Sequence, residues 1–209
     1  MKGLIIKDLL MIKGNLKHIL FLYILFFALT LQGSFDLSFM LVMVSVMLFM
    51  STFSYDEYNK WDAYAITLPN GRNNIVKSKY VSTIIIIVVS TLITLMLSII
   101  VGFIKNNLDL ETTISTMLGS CFALVVLVGV LYPIIFKFGI EKGRIILFVV
   151  AFAVAIIAKI LFDNLSINIP VELLTFLENY FVLIISTLSI FIVLVSYKIS
   201  KLIYLKKEF

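Results

Sequence analysis

The sequence predicts an all-α integral membrane protein. It has six transmembrane helices, an N-terminal interfacial amphipathic helix and a short cytoplasmic helix between spans two and three. Three observations carry this. Six strongly apolar stretches fill most of the chain, approximately Leu16–Phe35, Leu37–Ser54, Tyr80–Ile104, Ile114–Phe136, Ile145–Phe162 and Tyr180–Tyr197. Each is near the ~20 apolar residues that a helix needs to cross the hydrocarbon core. Charge is nearly absent inside them: apart from Lys17 at the edge of the first, only Lys159 is charged, and it is close enough to a span end to snorkel to the headgroups. Finally, the basic residues are distributed one-sidedly along the chain.

Composition agrees. Hydrophobic residues make up 62% of the chain and charged ones 14%, against roughly 45–50% and about 25% in a soluble domain. Backbone groups in lipid must be satisfied internally, so a span is a helix or part of a closed barrel. Barrel strands alternate polar and apolar residues. Runs such as Ile84–Val89 and Ala123–Val128 do not. The 209 residues therefore read as one membrane domain, 1–209.

Six crossings from a cytoplasmic N-terminus leave every Lys and Arg inside except Lys105 and Lys159. That asymmetry places both termini in the cytoplasm. It also accounts for the pI of about 9.2 by attraction to anionic inner-leaflet lipid. The charges lie on four separate segments, so they do not form one nucleic-acid-binding patch.

The first element is residues 1–17. Leu4, Ile5, Leu9, Ile12 and Leu16 recur at helical spacing against Lys2, Lys7, Asp8, Lys13 and Lys17. This pattern predicts a basic amphipathic helix lying in the interface. The apolar run that follows lacks a small-x-small cleavage site and reads as a retained span.

The longest cytoplasmic connection covers residues 55–79. Ser54-x-x-Glu57 fits a capping box at a helix start. Trp61, Tyr64, Ala65 and Leu68 then fall on one helical face. Pro69-Asn70-Gly71 stops that helix, and Asn73 or Asn74 suits the cap of the next. Two arrangements fit such a helix. It lies flat with Trp61 and Tyr64 as interfacial anchors, or it docks its aromatic face into a partner's groove.

In the third span, Thr83, Ser90, Thr94 and Ser98 make a hydroxyl stripe, and Ser186 and Ser189 begin another in the sixth. Such stripes line a cavity between membrane halves or let helices pack closely, and packing is the commoner use. Gly119-x-x-x-Ala123 also reads as a packing motif. The last external segment, 163–179, carries Pro170 before a helical pattern. It reads as a short helix, either capping the outer mouth or lying on the surface.

Several chemistries are excluded or unsupported. No G-x-x-x-x-G-K-[ST] loop is present to cradle phosphates. The single His18 offers neither a His-rich metal site nor a His acid–base pair. The one cysteine, Cys121, has no intrachain partner. No carboxylate lies deep in a span, so a proton relay has no members.

Asp56-Glu57-x-x-Lys60-Trp61-Asp62, then Leu68-Pro69-x-x-Arg72-x-x-Val76-x-Ser78-Lys79-Tyr80, resembles the hallmark of small bacterial ABC exporter permeases of the second ABC membrane superfamily. The Met-Lys-Gly-Leu-Ile-x-Lys-Asp opening is similar too. The likeness is greatest to the membrane subunits that export phenol-soluble modulins and peptide antibiotics. The resemblance implies a coupling helix in 55–79, seated in a separate ATPase subunit. It gives Trp61, Tyr64 and Leu68 as the docked face and Asp56, Glu57, Lys60, Asp62 and Arg72 as its charged rim or brace. It further implies two ATPase copies, which hold the ATP and Mg, and a second permease copy or paralogue completing a dimer. This chain would be non-catalytic and bind no cofactor. A structural or sensory membrane protein is the alternative if no ATPase docks.

Overall fold

The computed structural model describes residues 2–33, 36–65, 67, 71–106, 109–149, 152, 156 and 171–206. The described chain is helical throughout, with eight helices. They are α1 (Lys2–Gly14), α2 (Leu16–Leu31), α3 (Leu37–Tyr58), α4 (Trp61–Ala65), α5 (Gly71–Ile104), α6 (Leu110–Phe138), α7 (140–149) and α8 (Val171–Lys206).

Four of these, α3, α5, α6 and residues 185–206 of α8, are each long and apolar enough to span a membrane. The pair α1 and α2 makes a fifth when taken together, bent by 61° at Asn15. The expected span Ile145–Phe162 lies largely outside the described residues. α5 has 34 residues, or about 51 Å at 1.5 Å per residue. That exceeds a ~30 Å hydrocarbon core, so one end of α5 stands clear of lipid. Lys77 and Lys79 mark its N-terminal part as that end.

Local chemistry explains the boundaries. Asp109 starts α6 by accepting the amides of Glu111 and Thr112. Pro133 sits within α6, where its ring crowds the carbonyl of residue 129. That residue is Gly129, which also lets α8 approach: a Cβ there would sit 2.6 Å from Ile192 Cγ2. α6 and α8 form the most extensive helix pair. Gly119 instead has open space where its Cβ would stand and lies exposed. The close-packing glycine of α6 is thus Gly129, not Gly119 of the expected motif.

The core centres on Tyr132, fully buried in α6. Its ring makes edge contacts with Phe49, Phe53, Tyr80 and Phe136. Each such pair contributes about 0.5–1.5 kcal/mol beyond area burial. The Tyr132 hydroxyl bonds Thr83, and the Tyr80 hydroxyl bonds Ser196 and Ser200 at 2.6 and 2.9 Å.

α1 differs from the expected free amphipathic helix. Leu4 and Ile12 pack on the core, but so does its polar centre: Asp8 is 1% exposed, whereas Ile6, Leu9 and Leu10 face outward. The hydrophobic pattern alone would turn Asp8 away. Neutralising partners on α3 and α5 reverse that choice.

Candidate functional site

The polar centre of α1 and the Asp- and Lys-bearing ends of α3 and α5 meet beside α4 at one end of the bundle. Asp8 reaches this junction from α1, Asp56 from the last turns of α3, and Lys79 from the N-terminal part of α5. Lys79 Nζ lies 3.0 Å from Asp8 Oδ1 and 2.6 Å from Asp56 Oδ2. Lys7 Nζ lies 3.3 Å from Asp8 Oδ1 and 2.5 Å from Asp56 Oδ1. Two cations and two carboxylates therefore alternate around a closed, neutral ring. Asp8, Asp56 and Lys79 are all at most 5% exposed. Buried charges persist only when paired and hydrogen-bonded. Ser82 Oγ supplies Asp8 with a further donor, and Thr52 O accepts from Lys79.

The ring holds one aromatic face on α4, that of Trp61, and one on α3, that of Phe53. Lys7 Nζ stands 4.6 Å from the Trp61 ring centroid, and Lys79 Nζ stands 4.9 Å from that of Phe53. Cation–π contacts of this kind are worth about 0.5–2 kcal/mol. Trp61 is half-buried against the core and Ala65 fully buried, while Tyr64 is 59% and Tyr58 86% exposed. Trp61 and Tyr64 still touch, with centroids 5.2 Å apart. The face expected to point outward as one unit is therefore divided. Trp61 anchors the helix to the bundle, and Tyr64 projects. Leu68 lies outside the described residues.

The other expected residues of this segment have separate contacts. Arg72 Nη1 donates to Leu205 O at 2.6 Å, closing the C-terminal end of α8. Asp62 faces the hydroxyl of buried Tyr204 on the same turn of α8. Lys60 adopts a left-handed φ of 49° at the turn between α3 and α4 and stays exposed. A cavity of about 400 Å³ lies beneath α4, with Asp56, Glu57, Lys60, Asp62, Lys79 and Lys137 in its wall.

The capping box has a different address from the expected one. Ser54 and Glu57 do not start a helix, because α3 runs through them to Tyr58. Glu57 Oε2 accepts the Ile140 amide at 2.7 Å, and Ser54 Oγ accepts from Arg144 Nη2 at 2.5 Å. The same two side chains thus serve the start of α7. Nor does Asn73 or Asn74 begin α5, which is helical from Gly71.

The hydroxyl stripes lie inside the bundle. Thr83, Ser90, Thr94 and Ser189 are buried, and Ser98 and Ser186 are half-buried. Thr94 Oγ1 donates to Ser90 O, Ser98 Oγ to Leu95 O and Ser189 Oγ to Ser186 O. Ser90 also faces the Tyr23 hydroxyl of α2.

An all-helical bundle with apolar spans and a short helix beside a buried ion ring narrows the class of protein. The family profile described as "ABC-2 family transporter protein" matches residues 3–205. The chain belongs to the ABC-2 transporter family. No curated protein and no solved structure matches it. As an ABC-2 chain it is the membrane-embedded permease subunit of an ABC transporter, a transport component that works with an ABC ATPase. The ABC-2 permease hides its buried ion ring from sequence reasoning, which did not bring Lys7, Asp8 and Lys79 together. One signal was available: Asp8 is the sole carboxylate among the first 17 residues, and a lone acid beside an apolar face calls for a partner.

Proposed function

We propose that this permease belongs to an ATP-driven exporter that moves an amphipathic or hydrophobic cargo, a peptide toxin or antimicrobial peptide, out through the bacterial cytoplasmic membrane. Residues 55–79 receive the stroke of a separate ABC ATPase that holds ATP and Mg. Two ATPase copies and two membrane halves make the working unit, and both termini lie in the cytoplasm with the basic end of the bundle. The carrying observation is the divided helix α4. Trp61 is clamped by Lys7 above the neutral ring, while Tyr64 projects from α4, flanked by exposed Tyr58 at the end of α3 and Lys60 in the turn between them. A surface that projects on one side and is wired to three helices on the other suits a lever. The cavity beneath α4 leaves room for it to shift.

The cargo class draws support from the flank of the bundle. Between α6, α7 and α8 an exposed groove of about 710 Å³ is walled by Phe122, Val126, Leu127, Val130, Leu147 and Leu188 among others, with no charged residue among the described residues of its lining. Ligands with apolar faces fit such a wall.

The test pairs binding with activation. Tyr58→Ala with Tyr64→Ala should reduce recovery of the ATPase with the permease in detergent, because exposed aromatics commonly carry interface energy. In nanodiscs, ATPase activity of the parent complex should rise with a synthetic amphipathic peptide of leucine and lysine. Undiminished recovery would remove the docking role, and a flat response across a peptide panel would remove the cargo class.

A further inference from the structure

α6 and α7 are joined by one residue. α6 ends at Phe138, Gly139 turns at φ 85°, and α7 is helical from 140. So tight a turn leaves the first amides of α7 without intrahelical acceptors. Glu57 supplies one from another helix, taking the Ile140 amide at 2.7 Å. The carboxylate lies flat on the glycine: a Cβ at residue 139 would stand 3.2 and 3.3 Å from its two oxygens. One turn further, Arg144 Nη2 donates to Ser54 Oγ at 2.5 Å. Ser54 and Glu57 share a face of α3 at i and i+3. Residues 140 and 144 share a face of α7 at i and i+4. The two faces are in register. Gly143, between these contacts, brings α7 close to α6, since a Cβ there would sit 2.9 Å from Ile135 Cγ1.

We propose that Ser54 and Glu57 are positioning residues that join the lever to α7, so that the last turns of α3 and the first turns of α7 move as one body. Motion received at α4 then has two outputs. One runs through the buried ring to α1 and α5. The other runs through the Glu57 cap to the helix that follows Gly139. This rests on the reading that 55–79 takes up the ATPase stroke. The chemistry favours a rigid joint over a breakable latch. A carboxylate at a helix N-terminus gains from both the free amide and the helix dipole, and the absent side chain of Gly139 gives the carboxylate room to lie against the turn.

The experiment uses the permease–ATPase complex in nanodiscs, with Cys121→Ser as the parent. Nitroxide labels at Tyr55→Cys and Lys142→Cys, both exposed, report the distance across the joint by pulsed electron resonance. One narrow distance should hold in nucleotide-free and vanadate-trapped complexes alike. Adding Glu57→Ala or Gly139→Ala should broaden it, whereas Glu57→Gln should preserve it, because an amide oxygen still accepts the Ile140 N–H. Stimulation of ATPase activity by the leucine–lysine peptide should fall about fivefold in Glu57→Ala, the change expected for losing a helix cap of ordinary strength, with ATPase recovery unchanged. A distance that shifts on vanadate trapping in the parent would overturn the joint, as would a Glu57→Ala protein with an unbroadened distance. If the ATPase does not bind the parent at all, the docking reading fails separately. The distance in the permease alone still decides whether Glu57 holds the two helices together.

Discussion

Lys79 stands between Asp8 and Asp56, its ammonium 3.0 Å from one carboxylate and 2.6 Å from the other. With Lys7 on the far side, the ring is electrically balanced, yet three of its four members are almost wholly buried. It fastens α1 to α3 and α5 at a point directly beside α4. A hydrophobic contact there would hold the helices as well. A ring of charges also fixes which turn of each helix meets which, because a slipped register strands a charge.

Removing one member should be costly. Lys79→Met leaves two buried carboxylates facing Lys7 alone, and breaking a buried pair costs about 3–5 kcal/mol. A sharp drop in the thermal midpoint of the detergent-solubilised protein is expected. Asp8→Asn combined with Lys79→Gln removes one charge of each sign and leaves Lys7 paired with Asp56. That double variant should be more stable than Lys79→Met, and a lower midpoint would refute the ring as an energetic unit.

Gly129 sets the approach of α8 to α6. Its missing Cβ would fall 2.6 Å from Ile192 Cγ2. Gly129→Ala should destabilise the bundle by about 1–3 kcal/mol, the usual cost of overpacking. Ile192→Ala in the same chain should restore most of the midpoint, because the clashing atom is gone. Gly119→Ala, facing open space, should be neutral in the same assay.

The buried hydroxyls should matter for stability and not for selection. Thr83→Val, Ser90→Ala and Ser189→Ala each remove a polar group held inside the protomer. Membrane hydrogen bonds of this kind average about 0.6 kcal/mol. Small losses of thermal stability are expected, with the rank order of peptides that stimulate the ATPase unchanged. A reordered peptide preference would place these side chains on the transport path after all.

Arg72 closes the end of α8 through Leu205 O. Arg72→Gln should speed amide exchange in the last turn of α8 relative to its middle, since local opening follows the loss of terminal hydrogen bonds. Uniform exchange across α8 would show that this contact does not hold the end of the helix.

The four spans of α3, α5, α6 and α8 were legible because lipid imposes one demand, and long apolar runs such as Ile84–Val89 meet it without ambiguity. What escaped was partnership. Periodicity shows that Trp61 and Tyr64 lie near each other on a helix but not that Lys7, 54 residues earlier, claims one ring and leaves the other outside. Ser54-x-x-Glu57 was recognisable as capping chemistry. Which helix it caps depended on a fold that brings Ile140 to Glu57 across 83 residues. Asp8 falls with Lys2, Lys7, Lys13 and Lys17 opposite the apolar positions and so reads as solvated, while its partner Lys79 sits 71 residues away. Local pattern fixes the element type, and long-range charge pairing decides its orientation.

The central claim is that the projecting side of α4 meets an ATPase. Replacing Tyr64 with a photoreactive benzoylphenylalanine in living cells tests it most directly. Illumination should yield a crosslink to an ABC ATPase subunit, formed from inside the cell and weakened when Tyr58 is changed to Ala. Crosslinks to lipid alone, or labelling of position 64 by a membrane-impermeant reagent added outside, would contradict it.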